Sequence, residues 1–232
     1  MFKPKKLLLF FLVSGLLLGG CQMNNGANEP VQKKPIEKKD EELPKARAFQ
    51  DDFTKGFIDS SKSKEDGYFI FKSKTGNYKM LIPNEGIVND FSYSNKGNKS
   101  EFYTVSIKYK DGSEAAMQIS YNGELSNSRD IVKYSLESLK NELDIVTKFK
   151  KITTDKNQIY AAPFELKYKG SRNYGYGGYI YPLEGYGGIT LHYFKQCLNN
   201  EQDCKKETSE QTKSTAVKIM SSITFIKEKE SD

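Results

Sequence analysis

The sequence predicts a single α+β domain with a mostly antiparallel sheet, one long central helix and a C-terminal helix-strand unit. Three observations carry the prediction. Short runs rich in Tyr, Phe, Ile and Val, separated by Gly, Asn and Asp turns, fill residues 68–121. One stretch of helical period, around 126–149, interrupts them. A second block of strand-like runs fills 157–196 and leads into a helix and a short strand. Helices set apart from strands in this way, rather than alternating with them one for one, indicate α+β and not parallel βαβ units.

The chain opens on a basic head, Lys3, Lys5 and Lys6, followed by LLLFFLVSGLLL at residues 7–18. That run is too short for the roughly 20 residues a spanning helix needs. A basic head, a short apolar core and small residues behind it form an export signal. Leu18-Gly19-Gly20-Cys21 resembles the bacterial lipobox at every position. The resemblance implies a diacylglyceryl group on Cys21 and cleavage just before it, so that residues 1–20 are a lipoprotein signal peptide. The alternative is an ordinary signal peptide with a chance cysteine. A single acyl chain anchors only marginally, at about 0.8 kcal/mol per buried methylene, whereas two chains on one cysteine hold stably. The expected location is the outer, extracytoplasmic face of the cell membrane, with no spanning helix in the mature chain.

Residues 21–47 form the lipidated N-terminus and a tether. Three prolines, many charges and almost no large apolar side chain leave it unable to bury enough surface to order itself. A flexible segment of this length reaches roughly 25–30 Å. Residues 48–232 form the extracytoplasmic domain, long enough for a real core. Removing residues 1–20 takes away three lysines and no acid, so the net charge of +6 falls to +3. Both signs are mixed along the chain, which points to a solvated surface and away from nucleic acid as a partner.

Within the domain, Phe49, Phe53 and Phe57 recur at i, i+4, i+8 and predict a short helix. Runs at 68–72 and 78–82 flank a Lys74-Thr75-Gly76-Asn77 turn and predict a hairpin. Further strands are expected at 87–94, 101–109 and 113–121. In SNSRDIVKYSLESLKNELDIVTKF, residues Ile131, Tyr134, Leu136, Leu139, Leu143 and Val146 recur at helical spacing, with Ser126, Asn127 or Ser128 as the cap. Strands are expected again at NQIYAAPFELKYK, SRNYGYGGYIYP and GGITLHYFKQ, then a helix over about 207–221 and a closing strand in SSITFIKE.

Cys197 and Cys204, in CLNNEQDC, sit on either side of a short polar loop. Outside the cytoplasm such a pair can oxidise and persist. A disulfide closing this ring contributes about 2.5 kcal/mol in the loop-entropy picture. Free thiols and a metal site are the competing readings. A metal needs three or four ligands, and the lone histidine, His192, lies in an apolar strand pattern. No metal or cofactor is expected.

NYGYGGYIYPLEGYGG does not meet G-x-G-x-x-G, and no lysine-serine pair follows for a phosphate loop. Its glycines are expected to mark bends or bulges in strands. Tyr174, Tyr176, Tyr179, Tyr181 and Tyr186 crowd the same segment. They either fill a sheet face or present a surface for glycan or protein contact. No catalytic residue is expected. His192 is expected on a sheet surface, and Glu65, Asp66, Asp111 and Glu114 as solvated acids beside turns.

The hairpin ending in MLIP and the step Ser222-Ile223-Thr224-Phe225 after the last helix resemble the PsbP-like fold. A resemblance over more of the chain, in ARAFQDDFTKGFID, GYFIFKSKTGNYKMLIPNEG and CLNNEQDC, is to the YvcA-type surface lipoproteins of Bacillus. It implies a Gram-positive surface-anchored protein linked to colony or biofilm behaviour, with Cys21 as the lipid site and Cys197 and Cys204 as paired cysteines. The expected function is a non-enzymatic binding or scaffold module at the cell envelope. The first alternative is an accessory lipoprotein that captures a small molecule or glycan, favoured by a pocket lined with aromatics. The second is a cell-wall-acting enzyme, favoured by an acidic cleft with two facing carboxylates.

Overall fold

The computed structural model describes residues 45–60, 65–110, 112–168, 171–197 and 201–226. Two one-turn helices come first, α1 (Arg47–Gln50) and α2 (Asp52–Lys55). Asp51 separates them. It is extended, and its carboxylate caps α2 by accepting from the Thr54 amide at 2.8 Å. The phenylalanine stripe survives the break: Phe49 meets Phe69 edge-on at 4.9 Å, and Phe57 stacks on Phe71 at 5.0 Å. Ala46 and Arg47, expected in the tether, belong to the domain, since Ala46 is buried and Arg47 begins α1.

The hairpin forms as expected. β1 (Tyr68–Lys72) pairs with β2 (Tyr78–Pro83), and Gly76 turns the chain at φ +79°, where a side chain would strain. The expected strand over 87–94 is broken. β3 (Gly86–Val88) stops at Asn89, whose side chain accepts from the Phe91 and Ser92 amides and starts a 3-10 turn. The asparagine offers those amides a local partner in place of the ladder. β4 (Ser94–Lys96) then resumes, and β5 (Ser100–Lys108) pairs with β6 (Glu114–Asn122) along its whole length.

Helix α3 (Arg129–Glu142) is capped by Ser128 and buries Val132 and Leu139. Tyr134 does not join them. Two positions beyond Val132 is about 200° around the helix, and Tyr134 is exposed. Val146 also lies in solvent, because the helix ends at Glu142 and the period with it. β7 (Lys150–Thr153) was not expected from the sequence, since its lysines hide the pattern. It is an edge strand, and edge lysines discourage pairing with another chain. β8 (Asn157–Tyr168), β9 (Ser171–Pro182) and β10 (Gly188–Cys197) follow the expected runs. Helix α4 (Glu201–Ser222) begins earlier than the expected 207 and takes in Cys204. β11 (Thr224–Phe225) closes the chain against β2.

All strand pairs are antiparallel, in a small sheet β1-β2-β11 and a main sheet β3-β5-β6-β10-β9-β8-β7, with β4 also on β5. One face of the main sheet, including Val105, Met117, Ile119 and Leu191, packs with the small sheet and with Ala216, Ile219 and Met220 of α4. The other face receives Val132 and Leu139 of α3, with Leu143 and Ile145 just beyond it, on Ala162, Phe164 and Tyr179. Burying each such side chain is worth about 1.5–3 kcal/mol.

β9 lies between the two helices, and its glycines make that possible. A Cβ on Gly177 would stand 2.4 Å from Leu143 Cδ1 on the α3 side. One on Gly178 would stand 2.6 Å from Met220 Sδ on the α4 side. The expectation of bends or bulges is corrected here: β9 keeps continuous register with both neighbours. The glycines serve close packing on opposite faces of a regular strand.

Candidate functional site

The turns at one end of the main sheet converge. The connections β4–β5, β6–α3, β7–β8 and β9–β10 meet the hairpin tip and the end of β11 around an open cleft of about 960 Å³. That size is within the range of small-molecule sites. Backbone bonds pin the loops to one another. Gly123 N donates to Lys99 O at 2.7 Å, Leu183 N to Lys156 O at 2.8 Å, and Ile226 N to Asn77 O at 2.7 Å. Asn77 Nδ2 donates to Asn98 O at 2.6 Å. Gly185 and Gly187 sit at φ +97° and +105°, which lets the β9–β10 turn fold back without strain. The cleft is preformed by these ties.

Six large apolar side chains stand exposed among the described residues, and three of them, Leu183, Tyr186 and Ile226, line this cleft. Clustered exposure of this kind marks interaction sites. Tyr121 and Phe225 add aromatic wall. Asn157 is buried in the lining, and its Nδ2 donates to Ile223 O at 2.6 Å. A carbonyl only accepts, so the amide orientation is fixed. Asn157 Oδ1 is then left buried with no hydrogen-bond partner. At the rim, Lys99 Nζ lies 2.6 Å from Glu124 Oε1. This contact raises the lysine and lowers the glutamate from their ordinary pKa values. The pair is exposed, so it adds little stability.

The chain comes into the domain at the other pole. Ala48 N donates to Asn84 O at 3.1 Å, beyond the far end of β2. β5, running from pole to pole, spans about 30 Å at 3.4 Å per residue.

The four tyrosines of β9 do not form one surface. Tyr174 and Tyr176 face the α4 side, and Tyr179 and Tyr181 the α3 side. Tyr174 and Tyr179 are buried, Tyr176 and Tyr181 half-buried, and none stands fully exposed. A strand covered by a helix on each face has no open side to offer. The exposed tyrosine of this region is Tyr186, one turn further on.

His192, expected on a sheet surface, is buried on the α3 side. Burial lowers its pKa to about 4 and holds it neutral. Glu142 Oε1 stands 3.9 Å from Nδ1, too far for a hydrogen bond and half in solvent, so the desolvation prevails.

Sequence reasoning missed Glu101, a buried carboxylate on the inward face of β5. It accepts from Ser73 Oγ at 2.6 Å, Tyr78 OH at 2.8 Å, Tyr93 OH at 2.9 Å and Lys74 N at 3.0 Å. Burial first, and then the neighbouring carboxylate and phenols, push Tyr78 and Tyr103 well above the usual phenol range. The strand alternation carries the signal, because Glu101 keeps step with Tyr103, Val105 and Ile107. The network fastens the hairpin tip to the main sheet and offers no open face for chemistry.

Of the turn acids, Glu65 pairs with Lys218 at 2.9 Å and Glu114 lies 3.9 Å from Lys108, while Asp111 is outside the described residues. Cys197 ends β10 and Cys204 lies in the first turn of α4, but their side chains are also outside the described residues, as is Cys21. Among the described residues no His, Cys, Asp and Glu side chains gather as a metal site. No described helix is long and apolar enough to cross a membrane.

Comparison with known proteins agrees with the sequence resemblance. The profile of the family described as "Putative lipoprotein YvcA" matches residues 44–224. The Bacillus subtilis (strain 168) protein of that same description is 30% identical over 249 aligned positions, covering 95% of this chain and 98% of its own. Among solved structures, the Saccharomyces cerevisiae Ran-binding protein Mog1p aligns at TM-score 0.45 and 10% identity, over 68% of this chain and 94% of its own. A protein of Bacteroides thetaiotaomicron VPI-5482 aligns at TM-score 0.35 and 12% identity, over 68% of this chain and 48% of its own. Scores that low carry no argument about function. The profile and the Bacillus relative, by contrast, span nearly the whole domain, and the chain belongs to the YvcA family of lipoproteins.

Proposed function

We propose that this lipoprotein is held by lipid on Cys21 at the outer face of the cell membrane, after loss of residues 1–20, and works as a non-enzymatic binding module. Its ligand enters the cleft at the pole away from the tether. The observation that carries this reading is the preformed cleft itself, with aromatic and amide lining and three exposed apolar side chains at one place. An aromatic-lined pocket favours capture of a ligand over scaffolding by a flat sheet face. Glu124, held down by Lys99, is shifted away from what a general acid requires. Placement supports the reading too: the described chain enters the domain beside Asn84, at the end of β2 away from the cleft.

Footprinting tests it. Hydroxyl-radical labelling of the full lipoprotein is compared on intact cells and in detergent micelles. Tyr186 becomes shielded on cells, while Tyr134, exposed on α3 and outside the cleft lining, labels equally in both. Equal labelling of Tyr186 in the two settings overturns the reading. The anchor is tested separately: Cys21→Ala leaves the membrane fraction, and retention like the wild type refutes lipid attachment at that residue.

A further inference from the structure

We propose that the ligand of the cleft is a glycan, a hydroxyl-rich chain of which one sugar ring lies flat on Tyr186. This rests on the cleft being the binding site and names the class of molecule it takes.

The exposed ring comes first. Tyr186 is 74% exposed on a turn pinned at both ends. A flat aromatic held in place binds a flat partner at low entropic cost. Polar side chains, among them Asn77, Asn98, Asp155 and Glu184, share the lining with the apolar ones. A sugar ring has this same division: a C–H face that stacks on an aromatic, and an edge of hydroxyls that both donate and accept.

The second observation is Asn157 Oδ1, buried and without a partner. Its other amide atom is committed to Ile223 O, so the free atom needs a donor. A hydroxyl supplies one. An apolar ligand offers it no donor, so only a ligand carrying hydroxyl or N–H groups can satisfy it.

Two other ligand classes fit less well. A peptide adding as a strand needs free main-chain groups, and the amides of Gly123, Leu183, Gly187 and Ile226 are already engaged with neighbouring loops. A polyanion meets Glu124, Asp155 and Glu184 against Lys99 and Lys156, an adverse balance.

The test titrates the full-length lipidated protein, in detergent micelles, with a tetrasaccharide of N-acetylglucosamine and with maltotetraose, followed by calorimetry. Saturable binding of at least one is expected. Tyr186→Ala weakens it about tenfold or more with an unchanged melting temperature, because the side chain is exposed. Tyr186→Phe keeps the ring and stays within about threefold. Binding that ignores Tyr186→Ala overturns the inference. If neither sugar binds while Tyr186 is shielded on cells, the glycan falls and the cleft reading stands, with a peptide as the next class. If neither sugar binds and Tyr186 is unshielded, both fall.

Discussion

Acid should destabilise this protein in part through one histidine. His192 is buried and held neutral, with a pKa near 4 in place of the ordinary 6.5. In the unfolded chain it takes a proton as the pH drops through 6.5; in the folded chain it refuses one until about 4. Between those values the unfolded state binds more protons, so stability falls as the pH falls. At about 1.4 kcal/mol per pH unit the loss from pH 7 to pH 4 reaches about 3 kcal/mol. For a domain of this size that corresponds to roughly 6–12 °C in melting temperature.

The perturbation that isolates the effect is His192→Leu, which removes the titrating ring and also its unpartnered Nε2. Carboxylates protonate over the same range, but they do so in both proteins and cancel in the difference. Glu142 stands 3.9 Å from the ring, and its own pKa is raised by burial. The chain has no tryptophan, so urea unfolding is followed by circular dichroism. The expected result is a stability difference between wild type and variant that widens by about 3 kcal/mol from pH 7 to pH 4, against the wild type. Parallel curves over that range refute the buried neutral histidine.

Three further outcomes follow from the packing. Glu101→Leu strands four donors, those of Ser73, Lys74, Tyr78 and Tyr93, and should cost about 3–5 kcal/mol in urea midpoint analysis. Loss under 1 kcal/mol would mean that the network contributes nothing beyond its shape. Gly175→Ala puts a Cβ 2.4 Å from Tyr193 O, a backbone atom that cannot swing away. It should therefore destabilise by about 1–3 kcal/mol, more than Gly178→Ala, whose clash is with the flexible Met220 side chain. The reverse order in thermal melts would refute that account. Cys197 and Cys204 should be joined in the exported protein, and non-reducing alkylation with mass spectrometry decides it; two fully alkylated thiols would refute the bond.

Much of the fold was legible because strand alternation is a local signal. Strand-like runs such as Tyr78–Pro83 and Glu114–Asn122 state their own faces, and the turns between them use Gly and Asn where the backbone requires them. The misses have physical causes. Asn89 breaks a strand through a side-chain cap that propensity does not weigh. β7 is written in lysines because it lies on an edge. The bulge reading of the β9 glycines failed for a different reason. Their purpose depends on Leu143 and Met220, residues distant in sequence that only the tertiary fold brings to them. The cleft was illegible for the same cause. Its lining comes from Asn77 to Ile226, and no segment of the sequence contains more than a few of its residues.

Where a ligand can bind is narrowed by what the fold has already covered. One face of the main sheet is taken by α4 and the small sheet, the other by α3. A tyrosine placed on either face of β9 is therefore spent on packing, whatever its aptitude for binding. The edges are closed by other means, with Lys150 and Lys151 on β7 and a β3 of only three residues. Two poles remain. One receives the chain beside Asn84 and Glu85. The other carries turns that bear little of the core and are free to vary in side chain while their backbones stay tied. Binding residues gather on loops held by a rigid frame for this reason. In this protein the frame leaves open the pole of the proposed site, where Tyr186, Asn157 and Ile226 line the cleft.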